Sequence, residues 1–155
     1  MAHVPVRDGR AVVEGNYTID GVPAPGACIT LEYEEPGGSL GGTLLPTNTP
    51  RQQCQLADTR QVTISIVDAA IPTVFVRASE LGVDATQLAP ALDSDGTLQT
   101  TLEEIRCRTA ALLGLAASME EAREIVQHIP KIVLVAPSAA YTASSGKLVE
   151  AGQID

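Results

Sequence analysis

The chain reads as an α+β domain in which two helices pack on one face of a mixed sheet. Three observations predict this class. The long run from Gln61 to Val76 is apolar and alternates like a strand. Thr101-Leu102-Glu103-Glu104 and Ser118-Met119-Glu120-Glu121 have the spacing of capping boxes, and each precedes a helical stripe. Lys131 to Pro137 is an apolar segment bounded by prolines, so a strand returns after the helices.

Taken in order, residues 3 to 20 alternate weakly around Val4, Val6, Val12, Tyr17 and Ile19. The turn pairs Asp8-Gly9 and Gly15-Asn16 cut them into a small meander. Gly21-Val22-Pro23-Ala24-Pro25-Gly26 punctuates the chain as a hinge, and the period-two pattern of Ala27 to Tyr33 predicts a half-buried strand. Glu34 to Gly38 is a turn, and Leu44-Leu45-Pro46 predicts a short strand entering the loop Thr47-Asn48-Thr49-Pro50. In the long run, Val62, Ile64 and Ile66 alternate with Thr63, Ser65 and Val67, whereas Val74-Phe75-Val76 is uniformly apolar and expected to lie deeper. Pro72 interrupts this run. It removes an amide donor and forces Ile71 to be extended, which frees backbone groups beside the break and makes the strand end a wall for a ligand. A proline-broken edge strand is the plainer structural reading.

The first helix is expected over 101–117, with the stripe Leu102, Ile105, Thr109, Leu112 and Leu113. The second follows Ser118 with the stripe Ala122, Ile125, Val126 and Ile129, and Pro130 stops it. Lys131 to Pro137 is expected to be a buried strand, and Ser138 to Asp155 contains no clear element.

Composition narrows the function. The 155 residues suit one domain that buries roughly two thirds of its unfolded surface. With 10 basic and 19 acidic side chains the formal charge is −9, which repels phosphate backbones and excludes nucleic acid as a partner. There is no tryptophan and one phenylalanine, so base-stacking platforms are not expected. Cys28, Cys54 and Cys107 are far apart with neither CxxC spacing nor nearby histidines, so no zinc site or disulfide framework is indicated. The expectation is a soluble protein of the reducing cytoplasm, with no signal peptide and no membrane span.

Other chemistry-bearing residues have structural readings. His3 lies near an end and His128 in the last turn of the second helix, where a positive charge suits the dipole. Ser144-Ser145-Gly146-Lys147 lacks phosphate-loop spacing and reads as a turn. Glu103-Glu104 and Glu120-Glu121 fall at the two expected helix N-termini, where acidic side chains favour the dipole.

Four stretches in order resemble the PrpF-type family of 2-methylaconitate cis-trans isomerases, methylitaconate isomerases and 4-oxalomesaconate tautomerases. They are Gly21-Val22-Pro23 with Gly26-Ala27 before Ile29-Thr30-Leu31; Pro36-Gly37-Gly38-Ser39 before Leu44-Leu45-Pro46-Thr47; Val67-Asp68-Ala69-Ala70 with Pro72 through Gly82; and Glu104-Ile105-Arg106 before Leu113-Gly114-Leu115-Ala116. Together they cover about residues 3 to 147. The resemblance implies a diaminopimelate-epimerase-like fold of two similar α+β halves, each wrapping a mixed sheet around a helix, with the active site between them. On that frame residues 1–26 are the end of the first half and the crossover, 27–147 a partial second half, and 148–155 a truncated tail. The half-fold is thus expected to be incomplete.

The implied activity is cofactor-free isomerisation of small unsaturated di- or tricarboxylic acids by proton transfer, with no metal. The expected partners are a small carboxylic acid substrate and a second copy of the chain in a homodimer. The family's acid and base, a cysteine in a glycine-rich loop and a lysine, lie ahead of the matched region, so no catalytic residue is assigned here. Cys28, in a strand, and Cys107, in a helix, read as structural, and Lys131 as a snorkelling end residue. Ile71, Pro72 and Thr73 are the expected substrate-binding residues. Ile71 stands where the family usually has asparagine and its side chain has no donor or acceptor, which leaves backbone groups and Thr73 to make contact. The alternative is a non-catalytic dimerising or binding domain derived from the same fold. An epimerase or racemase with two opposed cysteines finds no support in their placement.

Overall fold

The computed structural model describes residues 1–19, 21–40 and 42–154. Asp20, at the end of the expected meander, and Asp155, at the end of the expected tail, lie outside the described residues, as does Gly41. The chain forms two compact units, Met1–Pro36 and Gly37–Asp155.

The first unit holds four two-residue strands, β1 (Ala2–His3), β2 (Val6–Arg7), β3 (Arg10–Ala11) and β4 (Thr30–Leu31). Strands β2 and β3 form a hairpin whose turn residues Asp8 and Gly9 have φ of 52° and 73°. Two successive left-handed residues match the twist of a two-residue hairpin, which explains the Asp-Gly pair. Strand β1 pairs antiparallel with β4, and Tyr17 and Gly26 exchange backbone bonds in a bridge. A Cβ on Gly15 would lie 2.4 Å from the Gly26 carbonyl oxygen, so this close approach requires glycine. The half-buried strand expected over 27–33 is reduced to Thr30–Leu31 and is exposed, because no described residue of this unit supplies a covering layer.

The second unit is built on a four-stranded sheet, β5 (Gln52–Gln55), β6 (Gln61–Ala69), β7 (Ile71–Arg77) and β8 (Lys131–Val135), in that spatial order. Strands β5, β6 and β7 are antiparallel and β8 joins β7 in parallel, so the sheet is mixed. The crossover between β7 and β8 carries a 3-10 turn (Ala78–Leu81) and three helices, α1 (Ala89–Ser94), α2 (Gly96–Leu112) and α3 (Met119–Glu124). Val62, Ile64, Ile66, Val74 and Val76 face the core with Cys54, Leu56 and Ile105 of α2. Strand periodicity of two produces this face, and it continues through Val74, Phe75 and Val76: the valines are buried and Phe75 is half-buried on the opposite side. Val74 and Val76 are fully buried, as the apolar run leads one to expect, and the alternation persists through Phe75. Cys107, Ala110, Ala116 and Ala122 form a second cluster between α2 and α3.

Several boundaries differ from expectation. Helix α2 starts at Gly96, with the Asp95 side chain accepting from the Leu98 amide. Thr101 is internal and donates to the Thr97 carbonyl, while Glu104 accepts from the Ala57 amide and pairs with Arg108. Glu103 and Glu104 are therefore mid-helix partners of arginines and not N-terminal dipole groups. The helix stops at Leu112 because Gly114, at φ 69°, provides a left-handed exit; Leu112 is consequently exposed instead of forming part of the stripe. Ser118 does cap α3 by accepting from the Glu121 amide, but that helix ends at Glu124 and not near Ile129. Ile125 and His128 are exposed beyond it. The buried Arg106 guanidinium takes the carbonyls of Ala122, Val126 and Ile129, and holds the departing chain in non-helical form.

Residues 44–46 form turns and no strand, and β8 is half-buried and not fully buried, since its alternate residues lack a second covering layer. The segment expected to lack an element contains a hairpin of β9 (Tyr141–Thr142) and β10 (Leu148–Val149), followed by a 3-10 turn (Ala151–Gln153). Its bend at Gly146, φ 80°, fits the turn reading of Ser144 to Lys147. Among the described residues, no helix is long and apolar enough to cross a membrane.

Candidate functional site

The proline break is a hairpin. Strands β6 and β7 pair through Asp68 with Pro72 and Ala69 with Ile71, and Ala70 makes the reversal at φ 68°. Pro72 fits within a central strand because β8 begins pairing only at Thr73, so its missing N–H faces no neighbour. Of the three residues singled out from sequence, Ile71 is half exposed at the tip, Pro72 is buried, and Thr73 is half-buried with its hydroxyl donating to the Ile71 carbonyl at 3.0 Å. They share one end of the sheet.

Asp68 ties a glycine-rich loop to that end. Its side chain is fully buried in β6. The Ser39 hydroxyl donates to one carboxylate oxygen and the Leu40 amide to the other at 2.8 Å. The Asp68 backbone accepts from the Gly38 amide and donates to the Leu44 carbonyl, both at 2.9 Å, and Gly37 bridges to Ala69. Gly38 has φ 82°, and a Cβ there would lie 2.2 Å from the Gly42 carbonyl oxygen, so the loop closes only on glycine. Carboxylate-to-amide bonds are among the stronger neutral-donor contacts, which makes Asp68 the pin of this loop.

Behind the loop is a cavity of about 380 Å³, lined by Pro46, Thr47, Asn48, Asp68, Leu112 and Leu113. The Thr47 hydroxyl oxygen is buried and has no hydrogen-bond partner among the described residues. An unpartnered buried hydroxyl is costly. Leu40, Gly42 and Thr43 complete the lining. Both oxygens of Asp68 are engaged, so it positions the wall.

Lys131 of β8 is the register partner of Thr73, so one lysine adjoins the hairpin end of the sheet. Cys54 and Cys107 are buried free thiols. Burial pushes both upward in pKa, and the Glu103 carboxylate, which accepts from Cys107, adds to the rise there. Neither is a ready thiolate. Cys28 is exposed in the first unit, 3.9 Å from the Thr30 hydroxyl. Lys131 and Lys147 are exposed. His3 meets Glu32 at 2.9 Å on the exposed β1–β4 ribbon.

Sequence reasoning missed Asp68, Ser39 and Thr47 as site residues. The readable signal was Asp68 itself, a carboxylate at a core-facing position of a strand, which demands partners. Ser39 and Thr47 gave none, because only the folded loop brings them there.

A family model described as PrpF protein matches residues 1–155. The 2-methyl-aconitate isomerase of Shewanella oneidensis is 34% identical over 158 residues, covering 100% of this chain and 40% of that protein. The 3-methylitaconate isomerase of Eubacterium barkeri is 31% identical over 155 residues, covering 99% of this chain and 40% of that protein. The 4-oxalomesaconate tautomerase of Pseudomonas putida is 29% identical over 135 residues, covering 87% and 34%. The crystal structure of a methylitaconate-delta-isomerase superposes with a TM-score of 0.87 at 31% identity, over 99% of this chain and 40% of that one. The chain spans about two fifths of the length of these relatives. The α+β architecture is therefore the diaminopimelate-epimerase-like half-fold that the sequence motifs resemble.

Proposed function

Because the chain belongs to the PrpF family, matched over residues 1–155, we propose that it forms part of an isomerase acting on small unsaturated di- or tricarboxylic acids by cofactor-free proton transfer. The observation that supports this is similarity along 87% or more of the chain to enzymes named for 2-methylaconitate, 3-methylitaconate and 4-oxalomesaconate. In such a reaction a base removes a proton beside a carboxylate-activated carbon and an acid returns one elsewhere. The intermediate charge needs nearby donors. In this reading the present residues supply the holding wall. Ile71 gives apolar contact at the exposed tip, and Pro72 and Thr73 hold that tip in place beside the substrate.

The acid and base come from polypeptide beyond these 155 residues. Raised thiol pKa values at Cys54 and Cys107 argue against either serving. A second reading, a non-catalytic binding domain on the same fold, draws on Ile71, whose side chain at the exposed hairpin tip can neither donate nor accept a hydrogen bond.

Deuterium incorporation from heavy water into cis- and trans-aconitate, followed by proton NMR, distinguishes these. The chain alone is expected to give background exchange. Mixed with the unmatched remainder of the Shewanella oneidensis isomerase, it is expected to give exchange well above background. Exchange by the chain alone would overturn the placement of acid and base. A mixture that forms a complex but stays at background would replace the isomerase reading with the binding domain.

A further inference from the structure

Strands β7 and β8 run parallel and end side by side, with Arg77 opposite Val135. Beyond them the chain diverges, into the 3-10 turn on one side and residues 136–140 on the other. Crevices form where neighbouring parallel strands end and their connections part. Here the crevice is a hollow of about 890 Å³, at the opposite end of β7 from the hairpin. Arg77, Ser79, Asp84, Thr86, Val135 and Tyr141 are among its lining residues.

Two opposite charges line this wall, Arg77 and Asp84. Arg60, Arg106 and Arg108 each pair with a carboxylate, but Arg77 has no ion-pair partner among the described residues. Arg77 differs from the other unpaired arginines in lining this hollow, where its planar fork can take a carboxylate. Asp84 is fixed in place: one of its oxygens accepts both the Thr86 amide at 2.9 Å and the Thr86 hydroxyl at 2.8 Å. Those bonds also hold its carboxyl below the usual range, so it is charged at neutral pH. Its other oxygen has no partner among the described residues. Arg77 and Asp84 are not in ion-pair contact with each other, so each is open to a ligand that enters the hollow they both line.

A dicarboxylate suits such a wall poorly, because Asp84 repels its second charge. A simple monocarboxylate uses only Arg77. The match is a ligand bearing both a carboxylate and an ammonium, with the apolar Val83, Leu134 and Val135 beside its carbon skeleton. We propose that the hollow at the ends of β7 and β8 binds a small free amino acid, its carboxylate on Arg77 and its ammonium on the open oxygen of Asp84. This site is separate from the hairpin wall, and its test does not depend on isomerase activity.

Isothermal titration calorimetry of the 155-residue chain with L-alanine, propionate and succinate tests the proposal. L-alanine is expected to bind at least about tenfold more tightly than either other acid. Arg77→Ala is expected to weaken L-alanine by about tenfold or more, and Asp84→Asn to weaken L-alanine while strengthening succinate. Both residues are exposed, and an unchanged thermal melt of each variant verifies its folding. Amide shifts in NMR should localise to Ser79, Thr86 and Tyr141. No saturable binding of L-alanine, equal binding of propionate, tighter binding of succinate by the unaltered protein, or an Arg77→Ala variant that binds normally would each overturn it.

Discussion

At the scale of single residues, Arg106 has the most work to do. It is only 7% exposed, yet its guanidinium reaches both oxygens of Glu103 at 2.7 Å, the carbonyls of Ala122, Val126 and Ile129, and the Cys107 sulfur. Removing it leaves a carboxylate and three carbonyls short of a donor. Arg106→Met should therefore cost about 3 kcal/mol in urea unfolding, because breaking a buried pair strands its partners; a cost below about 1 kcal/mol would show that water replaces it. The Arg106 hydrogen bonds hold the Glu103 carboxyl below its ordinary 4.5, with smaller help from the Cys107 thiol. A depressed carboxyl stabilises the fold fully above its unfolded value, and that contribution is lost as pH falls through its folded value. Glu103 is 38% exposed, so solvent screening keeps the effect small. The stability gap between the native chain and Glu103→Gln is expected to be constant at neutral pH and to close progressively below 4.5, as read from urea midpoints. Thr109 presents the opposite case. Its hydroxyl is buried without a partner among the described residues, so Thr109→Val should raise stability by about 1 kcal/mol in thermal melts. A fall would mean that the hydroxyl is bonded in solution.

At the scale of elements, Asp68 holds Gly38, Ser39, Leu40 and Leu44 of the glycine-rich loop in place. Asp68→Asn retains the size but replaces one acceptor oxygen with a donor facing Ser39 or Leu40, and should cost about 1–3 kcal/mol. Amide exchange should then accelerate at Gly38 and Leu40, while Ile64 and Ile66 in β6 stay protected. Uniform loss of protection would show that the carboxylate supports the sheet and not the loop. The same scale explains what could be read in advance. The alternation of Gln61 to Ala69 was legible because one face is buried, and the Ser118 cap because the Glu121 amide it accepts from is only three residues on. The start of α2 was not legible: Thr101 and Glu104 have capping-box spacing, but Asp95 caps the helix earlier and Glu104 is taken by Ala57 and Arg108. Spacing states what a side chain can reach, and the fold decides which partner it meets.

At the scale of the whole molecule, the two units differ in kind. Gly37–Asp155 has a continuous core from sheet to helix, whereas no described residue of Met1–Pro36 is buried. In the first unit Val6, Val13, Tyr17, Ile29, Leu31 and Tyr33 are all more than half exposed. Paired two-residue strands without a covered apolar face contribute little independent stability. Hydrogen exchange should accordingly separate the units, with amides of Met1–Pro36 exchanging near the unfolded rate and those of β6, β7 and α2 protected. Strong protection at Tyr17 and Gly26 would contradict this.

By itself the sequence determined the α+β class, the family, the alternating core strand and the segment 71–73 as a feature of one sheet end. All of these follow from local periodicity, proline chemistry and motif order. Only the tertiary structure decided that the proline break is a hairpin turning at Ala70, that Asp68 pins the glycine loop beside it, that Arg106 ends α3 early, and that β7 and β8 open a charged crevice at their far end. Each of these depends on groups distant in sequence meeting in space, and a buried polar atom takes whichever partner the packing brings within reach.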